Sequence, residues 1–391
     1  MQPRSGLPAT ASLSRLREIT ALFLKLGCIG FGGPQAHIAM MEDECVRRRR
    51  WLDHDAFLEG LGVCNMLPGP ASTQLGIWIG YVRAGWPGAI LAGLCFLLPA
   101  FLLLLAASWA YFTYRARWDL GAWFFGINAA VIALILHSCY RLSRSSVRRP
   151  WHWLLVGFGL AATLAGAEIA LTLALAGLVS ILVEHWAKQR VRPAGLAVAP
   201  GGLVALAQLA AFFLKVGAFI YGGGLVIIPF IQQEVVRGHG WLTAPEFADG
   251  VALGQVTPGP VVITAAFIGY RVAQTHGLSG PLGAMVATAA IFLPSFAFIL
   301  AAAPFLKRVR RARMIQAFLA GVNPAVVGAI LGATLPLAMG VLRGVGLPAI
   351  AGWLALVILA LLALLRTRVS TPALVLVAAA IGHVVRMAAG S

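Results

Sequence analysis

Charge is scarce in this chain: 11% of its 391 residues are Asp, Glu, Lys or Arg, against 60% that are hydrophobic. A soluble domain carries about a quarter charged residues and under half apolar ones. Too little polar surface remains here to wrap the apolar majority, which excludes a soluble fold. Cysteine is rarer still. Cys28, Cys45, Cys64, Cys95 and Cys139 all fall in the first half, with no CxxC spacing and no histidine cluster beside them. That pattern argues for free thiols and against a metal site. Neither a metal nor any other cofactor is expected. The sequence also lacks the Gly-x-x-x-x-Gly-Lys loop that cradles nucleotide phosphates. Met1 to Arg17 is polar and lacks the apolar core of a secretory signal.

What is present is a series of long apolar runs. Ala89 to Tyr111, Ala122 to Leu136, Leu154 to Val183, Ala284 to Phe305 and Ile350 to Leu365 approach or exceed the roughly 20 residues that span a bilayer core. They predict an all-α, polytopic integral membrane protein. The formal net charge of +17 is carried by short loops between the runs. This is the positive-inside pattern, so the expected partner is membrane lipid and not nucleic acid.

The chain repeats itself. Phe23-Leu24-Lys25-Leu26-Gly27 realigns with Phe213-Leu214-Lys215-Val216-Gly217 at an offset of 190 residues. The same offset pairs Gly32-Gly33 with Gly222-Gly223, Glu44 with Glu234, Arg47 with Arg237, Trp51-Leu52 with Trp241-Leu242, and Pro68-Gly69-Pro70 with Pro258-Gly259-Pro260. After a short insertion near His276 to Gly280 the offset becomes 195, matching Pro99 with Pro294 and Gly126-Ile127-Asn128 with Gly321-Val322-Asn323. A register kept over that distance marks a fused duplication. Residues 1–187 form the first repeat, 188–202 a basic cytoplasmic linker, and 203–391 the second repeat.

Each half is expected to hold about five transmembrane helices plus a re-entrant broken element: a first helix near Leu16 to Ala39, the re-entrant element at Ala56 to Tyr81, then four helices. The halves then enter the membrane from opposite sides. One face collects nineteen basic residues, including Arg47 to Arg50, Arg141 to Arg149 and Lys307 to Arg313, against nine on the other. The richer face is predicted to be cytoplasmic and the repeat inverted, a common transporter plan.

Each half also interrupts its apolar sequence twice. The first half has Gly30-Phe31-Gly32-Gly33-Pro34 and Asn65-Met66-Leu67-Pro68-Gly69-Pro70; the second has Tyr221-Gly222-Gly223-Gly224 and Gln255-Val256-Thr257-Pro258-Gly259-Pro260. Proline breaks the helix, and glycine lets backbone approach a ligand. A half-helix that starts after Pro-Gly-Pro exposes free amides and the positive end of its dipole, which suits an anion. Packing kinks are the plainer reading of single prolines, but matched interruptions in two halves point to a binding site.

Lys25 and Lys215 sit in the otherwise apolar first segment of each half. They could face the two half-helix ends and match a dianion, or snorkel to the headgroups. Asn128 and Asn323 could bond an oxyanion or glue helices together. Glu44 with Arg47, and Glu234 with Arg237, stand at i,i+3 spacing and read as local ion pairs or gates at the mouth. Glu59 and Asp249 correspond, and are candidates for a proton relay or for solvated helix starts.

Phe-Leu-Lys-Leu-Gly followed by Phe-Gly-Gly-Pro and Leu-Pro-Gly-Pro, repeated in weaker form, resembles the long-chain chromate ion transporter family over essentially the whole chain. The resemblance implies a multi-pass protein of the bacterial inner membrane whose antiparallel halves export chromate, driven by membrane potential, a proton gradient or both. Sulfate is the isosteric alternative ligand. Gly224 replaces the proline at Pro34 and Thr257 replaces Leu67, so the half-sites are expected to differ. A passive anion channel is a competing reading. A remote one is an intramembrane serine protease built on Gly277-Leu278-Ser279-Gly280 with His383, but Ser279 lies in the insertion that the first half lacks. A homodimer is left open.

Overall fold

The computed structural model describes residues 12–31, 33–114, 120–184, 202–219, 228, 231–302, 313–367 and 369–388. Gly32, Gly222, Gly223, Gly224, the Arg237 side chain and nearly all of the expected 188–202 linker lie outside the described residues.

The described residues form fourteen α-helices and no strand. In the first half these are α1 (Leu13–Ile29), α2 (Gly33–Glu42), α3 (His54–Cys64), α4 (Ala71–Tyr114), α5 (Leu120–Ser146), α6 (His152–Leu164) and α7 (Ile169–Glu184). In the second they are α8 (Gly202–Phe219), α9 (Ala244–Val256), α10 (Thr264–Thr275), α11 (Gly280–Ala302), α12 (Arg313–Leu342), α13 (Leu347–Arg366) and α14 (Thr371–Ala388). By length and composition, Ala71–Tyr114, Gly121–Ser146, Gly280–Ala301, Ala320–Leu342 and Leu347–Arg366 can cross a membrane. Their outward faces carry exposed Trp86, Leu94, Leu102, Trp109, Leu354 and Leu359, a distribution that water would penalise and lipid does not.

The expected first helix over Leu16 to Ala39 is two helices. Gly30 ends α1, and Gly33, at φ +77°, starts α2. The glycine run breaks the helix because only glycine takes that backbone without strain. The stretch Ala56 to Tyr81, expected as a re-entrant element, holds most of α3 and the first arm of α4, separated by Asn65 to Pro70. Four helical arms then follow, because α4 bends sharply at Ala84 and Gly85, where the backbone leaves helical geometry.

Local signals recur 190 residues apart. Asp53 caps α3 by accepting from the Ala56 amide, and Thr243 caps α9 in a reciprocal capping box with Glu246. A wide π-helical turn covers Asp43–Arg48 and again Gln232–Gly238. The Trp51 amide returns to the Cys45 carbonyl at 2.8 Å, and the Trp241 amide to the Val235 carbonyl at 2.8 Å.

Helix crossings repeat as well, through glycines whose place no larger residue could take. A Cβ on Gly27 would collide with the Phe96 carbonyl, and one on Gly217 with the matching Ile291 carbonyl. Gly126 lies against Ala378 in α14, and Gly321 against Ala176 in α7. The halves therefore exchange partners. The first half's α5 packs on α13 and α14, while its counterpart α12 packs on α6 and α7.

Candidate functional site

Each Pro-Gly-Pro break touches the other half. Gly69 (φ +130°) abuts Ser295, next to Pro294 inside α11, and Gly259 (φ +104°) abuts Ala100, next to Pro99 inside α4. The Gly259 amide donates to the Gly30 carbonyl at 2.8 Å, joining the second half's break to the first half's glycine run. His37, fully buried, lies 2.7 Å from the same carbonyl through Nε2 and 3.3 Å from the Ser72 hydroxyl through Nδ1. Gly30, His37 and Ser72 thus tie α1, α2 and α4 into one joint.

The breaks open on a cavity of about 810 Å³. Its wall includes Gly33, Pro34, Asn65, Gly69, Gln255, Thr257 and Gly259. It also takes in α5 as far as Ser145 and Ser146, Arg148 beyond it, and Thr367, Val369, Ser370 and Thr371. His137 and Arg141 also line it, and among the described residues no carboxylate does.

At each break, carbonyls at the end of the preceding helix are taken up locally. The Asn65 amide returns to Leu61, those of Met66 and Leu67 to Val63, and that of Thr257 to Leu253, while the Thr257 hydroxyl donates to Gly254. Pro68, Pro70, Pro258 and Pro260 have no N–H. Ala71 and Val261, which open the helical turns after the two breaks, line the cavity, and amides of a first turn have no intrahelical partner. Gln255 adds a buried side chain whose Nε2 has no hydrogen-bond partner. A buried donor without a partner costs about 1 to 3 kcal/mol, which a bound acceptor would return.

The sequence-selected residues divide. Gly33, Pro34, Asn65, Gly69, Gln255, Thr257 and Gly259 come together in the cavity wall, with Pro68, Pro70, Pro258 and Pro260 shaping it. Lys25 and Lys215 do not line it. Lys25 is ion-paired with Glu44 at 2.6 Å, and Lys215 with Glu168 and, at 4.0 Å, with Glu234. The i,i+3 pairing of Glu44 with Arg47 is not formed: Arg47 meets Glu42 at 3.2 Å, while Lys25 and Arg49 occupy Glu44. The wide turn at Asp43–Arg48 rotates Arg47 off the position that α-helical spacing assumes.

Asp249 is not a solvated helix start. It is buried in α9, accepting from the Tyr111 hydroxyl at 2.5 Å and the Asn128 amide at 3.3 Å. Its counterpart Glu59 is half-buried in α3. The paired asparagines also diverge, since Asn128 holds Asp249 while Asn323 lines the cavity. Ser279 stands in the turn between α10 and α11, and the His383 ring stacks on Trp123. Among the described residues no hydrogen bond joins the two, so they form no catalytic pair.

His137, Ser138, Arg141 and Arg148 were missed as site residues. They belong to an apolar run and the basic loop after it, and nothing in the linear order shows that α5 turns this face inward.

A duplicated bundle of membrane helices, broken in both halves at a shared cavity, defines a membrane transporter. Comparison with known proteins narrows the class. The family model for chromate transporters matches residues 17–183 and again 207–383, and the chain belongs to that family, one of transporters and not enzymes. The chain is similar to the "Probable chromate transport protein" of Synechococcus elongatus, 39% identical over 332 residues, which cover 81% of this chain and 83% of that one. It is 38% identical over 346 residues to the "Chromate transport protein" of Cupriavidus metallidurans, covering 84% of each. To that of Pseudomonas aeruginosa it is 36% identical over 334 residues, covering 80% and 79%. No solved structure matches the chain. It is a multi-pass protein of the plasma membrane.

Proposed function

We propose that this protein exports chromate from the cytoplasm, binding the dianion where the two Pro-Gly-Pro breaks meet and releasing it outside as the halves rock against each other. The observation that carries this reading is the central cavity, lined by arginine, amide and hydroxyl groups with no carboxylate among its described residues. Relatives named for chromate transport, over most of the chain, support chromate as the ligand. The cavity reaches Ser145 to Arg148 and Thr367 to Thr371, beside the loops that hold the arginine excess. By the positive-inside rule that side is cytoplasmic, so the described state is the loading state of an exporter with inverted halves.

A membrane potential of about 100 mV, inside negative, favours expulsion of a dianion by roughly 4.6 kcal/mol, so no ATP is required. Should protons be exchanged as well, buried Asp249 is better placed than Glu59 to carry them. Sulfate, of the same charge and shape, is expected to compete.

Everted membrane vesicles test the reading. Saturable uptake of labelled chromate, inhibited by sulfate and driven by an interior-positive potential at equal pH, is the expected result. No uptake above empty vesicles removes chromate as substrate. Uptake indifferent to the potential removes electrogenic export, and current that fails to saturate favours a channel.

A further inference from the structure

We propose that the charge selecting a dianion in this cavity is carried by the first half alone, by the face of α5 centred on the Arg141 guanidinium with Arg148 just past the helix end, and has no counterpart on α12. The inference rests on the transport reading above.

Leu134, His137, Ser138, Arg141, Leu142 and Ser145 all line the cavity. Their spacing of three and four residues places them on one helical stripe. Carried across the repeat at an offset of 195, His137, Ser138, Arg141 and Ser145 become Gly332, Ala333, Pro336 and Gly340. Among its described residues, the equivalent helix α12 gives the cavity only Asn323 and Ile330. The two halves keep the same crossings through Gly126 and Gly321, so the fold has stayed symmetric while the polar stripe has not.

Charge balance sets the two guanidiniums of the cavity wall apart, Arg141 and Arg148, the latter donating to the Ser145 carbonyl. Lys25, Arg83, Lys215 and Arg271 each meet a carboxylate: Glu44, Glu18, Glu168 and Glu246. Arg141 meets none among the described residues and faces a cavity that offers none. Arg141 is itself solvent-exposed at the cavity wall, and a cleft lined by cations without carboxylates raises the local concentration of mobile anions. Guanidinium is a rigid fork of donors that fits two oxygens of a tetrahedral oxyanion. The other donors point the same way. Gln255, 8% exposed, and His137 one turn before Arg141 each hold a nitrogen without a partner, Nε2 and Nδ1 respectively. Gln255 comes from the second half, so the ligand it shares with α5 would bridge the halves.

The test compares wild type, Arg141→Gln, Arg141→Lys and Arg144→Gln in everted vesicles, measuring initial uptake of chromate, sulfate and monovalent perrhenate. Arg144 is exposed against Tyr140 and serves as the control. Loss of the charged contact in Arg141→Gln should raise KM for both dianions about tenfold or more and narrow their preference over perrhenate by a similar factor. Arg144→Gln should match wild type. If the neutral variant does not accumulate, Arg141→Lys decides: it should weaken dianion uptake severalfold while keeping the preference, because charge remains and the fork is gone. Unchanged KM and preference in the Arg141 variants, while wild type carries chromate, would overturn this inference and leave the transport reading standing. Wild type that carries sulfate but not chromate removes the chromate reading, and the α5 inference is then decided on sulfate. Uptake of none of the three anions by wild type overturns both.

Discussion

Lys25 and Lys215 look from the sequence like the charges that greet a dianion, and the structure assigns each a carboxylate. The Lys25 ammonium, 2.6 Å from Glu44, holds that carboxyl below the usual carboxylate range, with Arg49 adding to the effect. Glu44 lies in the turn after α2, outside the apolar spans. Because the Lys25 side chain is half exposed, the pair contributes no more than about 1 kcal/mol. A depressed folded pKa stabilises above the unfolded value and loses that stability as pH falls through the folded one. The melting temperature of Lys25→Ala should therefore lie below wild type by a constant amount above about pH 5, and the gap should close below about pH 4 as Glu44 protonates. Its KM for chromate should stay at the wild-type value. A large KM rise would return Lys25 to the binding site.

Gly69 gives a second prediction at this scale. Its φ of +130° and the adjacent Gln74 and Ser295 side chains leave no place for a Cβ. Gly69→Ala should cost about 2 kcal/mol or more, read as a lower melting temperature in detergent, and should lose transport. The sequence exposed this residue because glycine between two prolines is a chemical statement about backbone. It hid Arg141, because a basic residue at the end of an apolar run reads as an ordinary loop anchor, and because the side chains that neutralise the other cations are distant in sequence. Glu18 with Arg83, and Glu168 with Lys215, are such pairs.

At the scale of elements, periodicity and length found most helices, and the repeat found their equivalences. Gly30, in the glycine interruption that the sequence marks, splits the single helix expected over Leu16 to Ala39, while the π-helical turns, which change which residues share a face, escaped. Crossings were legible only as matched glycines such as Gly126 and Gly321, without their partners. Their role makes a paired prediction. Gly126→Ala drives a Cβ into the Ala378 carbonyl of α14 and should destabilise by about 2 to 3 kcal/mol through forced separation of α5 and α14. Gly157 in α6 has nothing within 4 Å of the same added atom. Gly157→Ala should be neutral or stabilise by up to about 1 kcal/mol, the ordinary gain in helix propensity. Thermal unfolding in one detergent decides the pair, and equal losses would mean that the close crossing is not what limits stability.

At the scale of the molecule, the duplication is not a tandem of independent bodies. The first half's α5 finds its neighbours in α13 and α14, and the second half's α12 finds its own in α6 and α7. Each Pro-Gly-Pro break rests beside a helix proline of the opposite half, and the hydrogen bond from Gly259 to Gly30 crosses between them. The large core follows the same plan, with Phe125, Ile132 and Ile135 of α5 in one cluster with Trp353, Leu356 and Val375. A half expressed alone would present these buried faces and glycine grooves to lipid without the partner that fits them. Such faces are small-residue and hydrogen-bonding surfaces, which associate by packing rather than by avoiding water. Residues 1–187 and 203–391 produced separately should therefore fail to accumulate, whereas the same fragments co-expressed should co-purify and recover saturable anion uptake. Stable, monodisperse accumulation of either fragment by itself would show that the exchange of helices is not needed for folding, and rocking of rigid halves would have to be replaced by motion within each half.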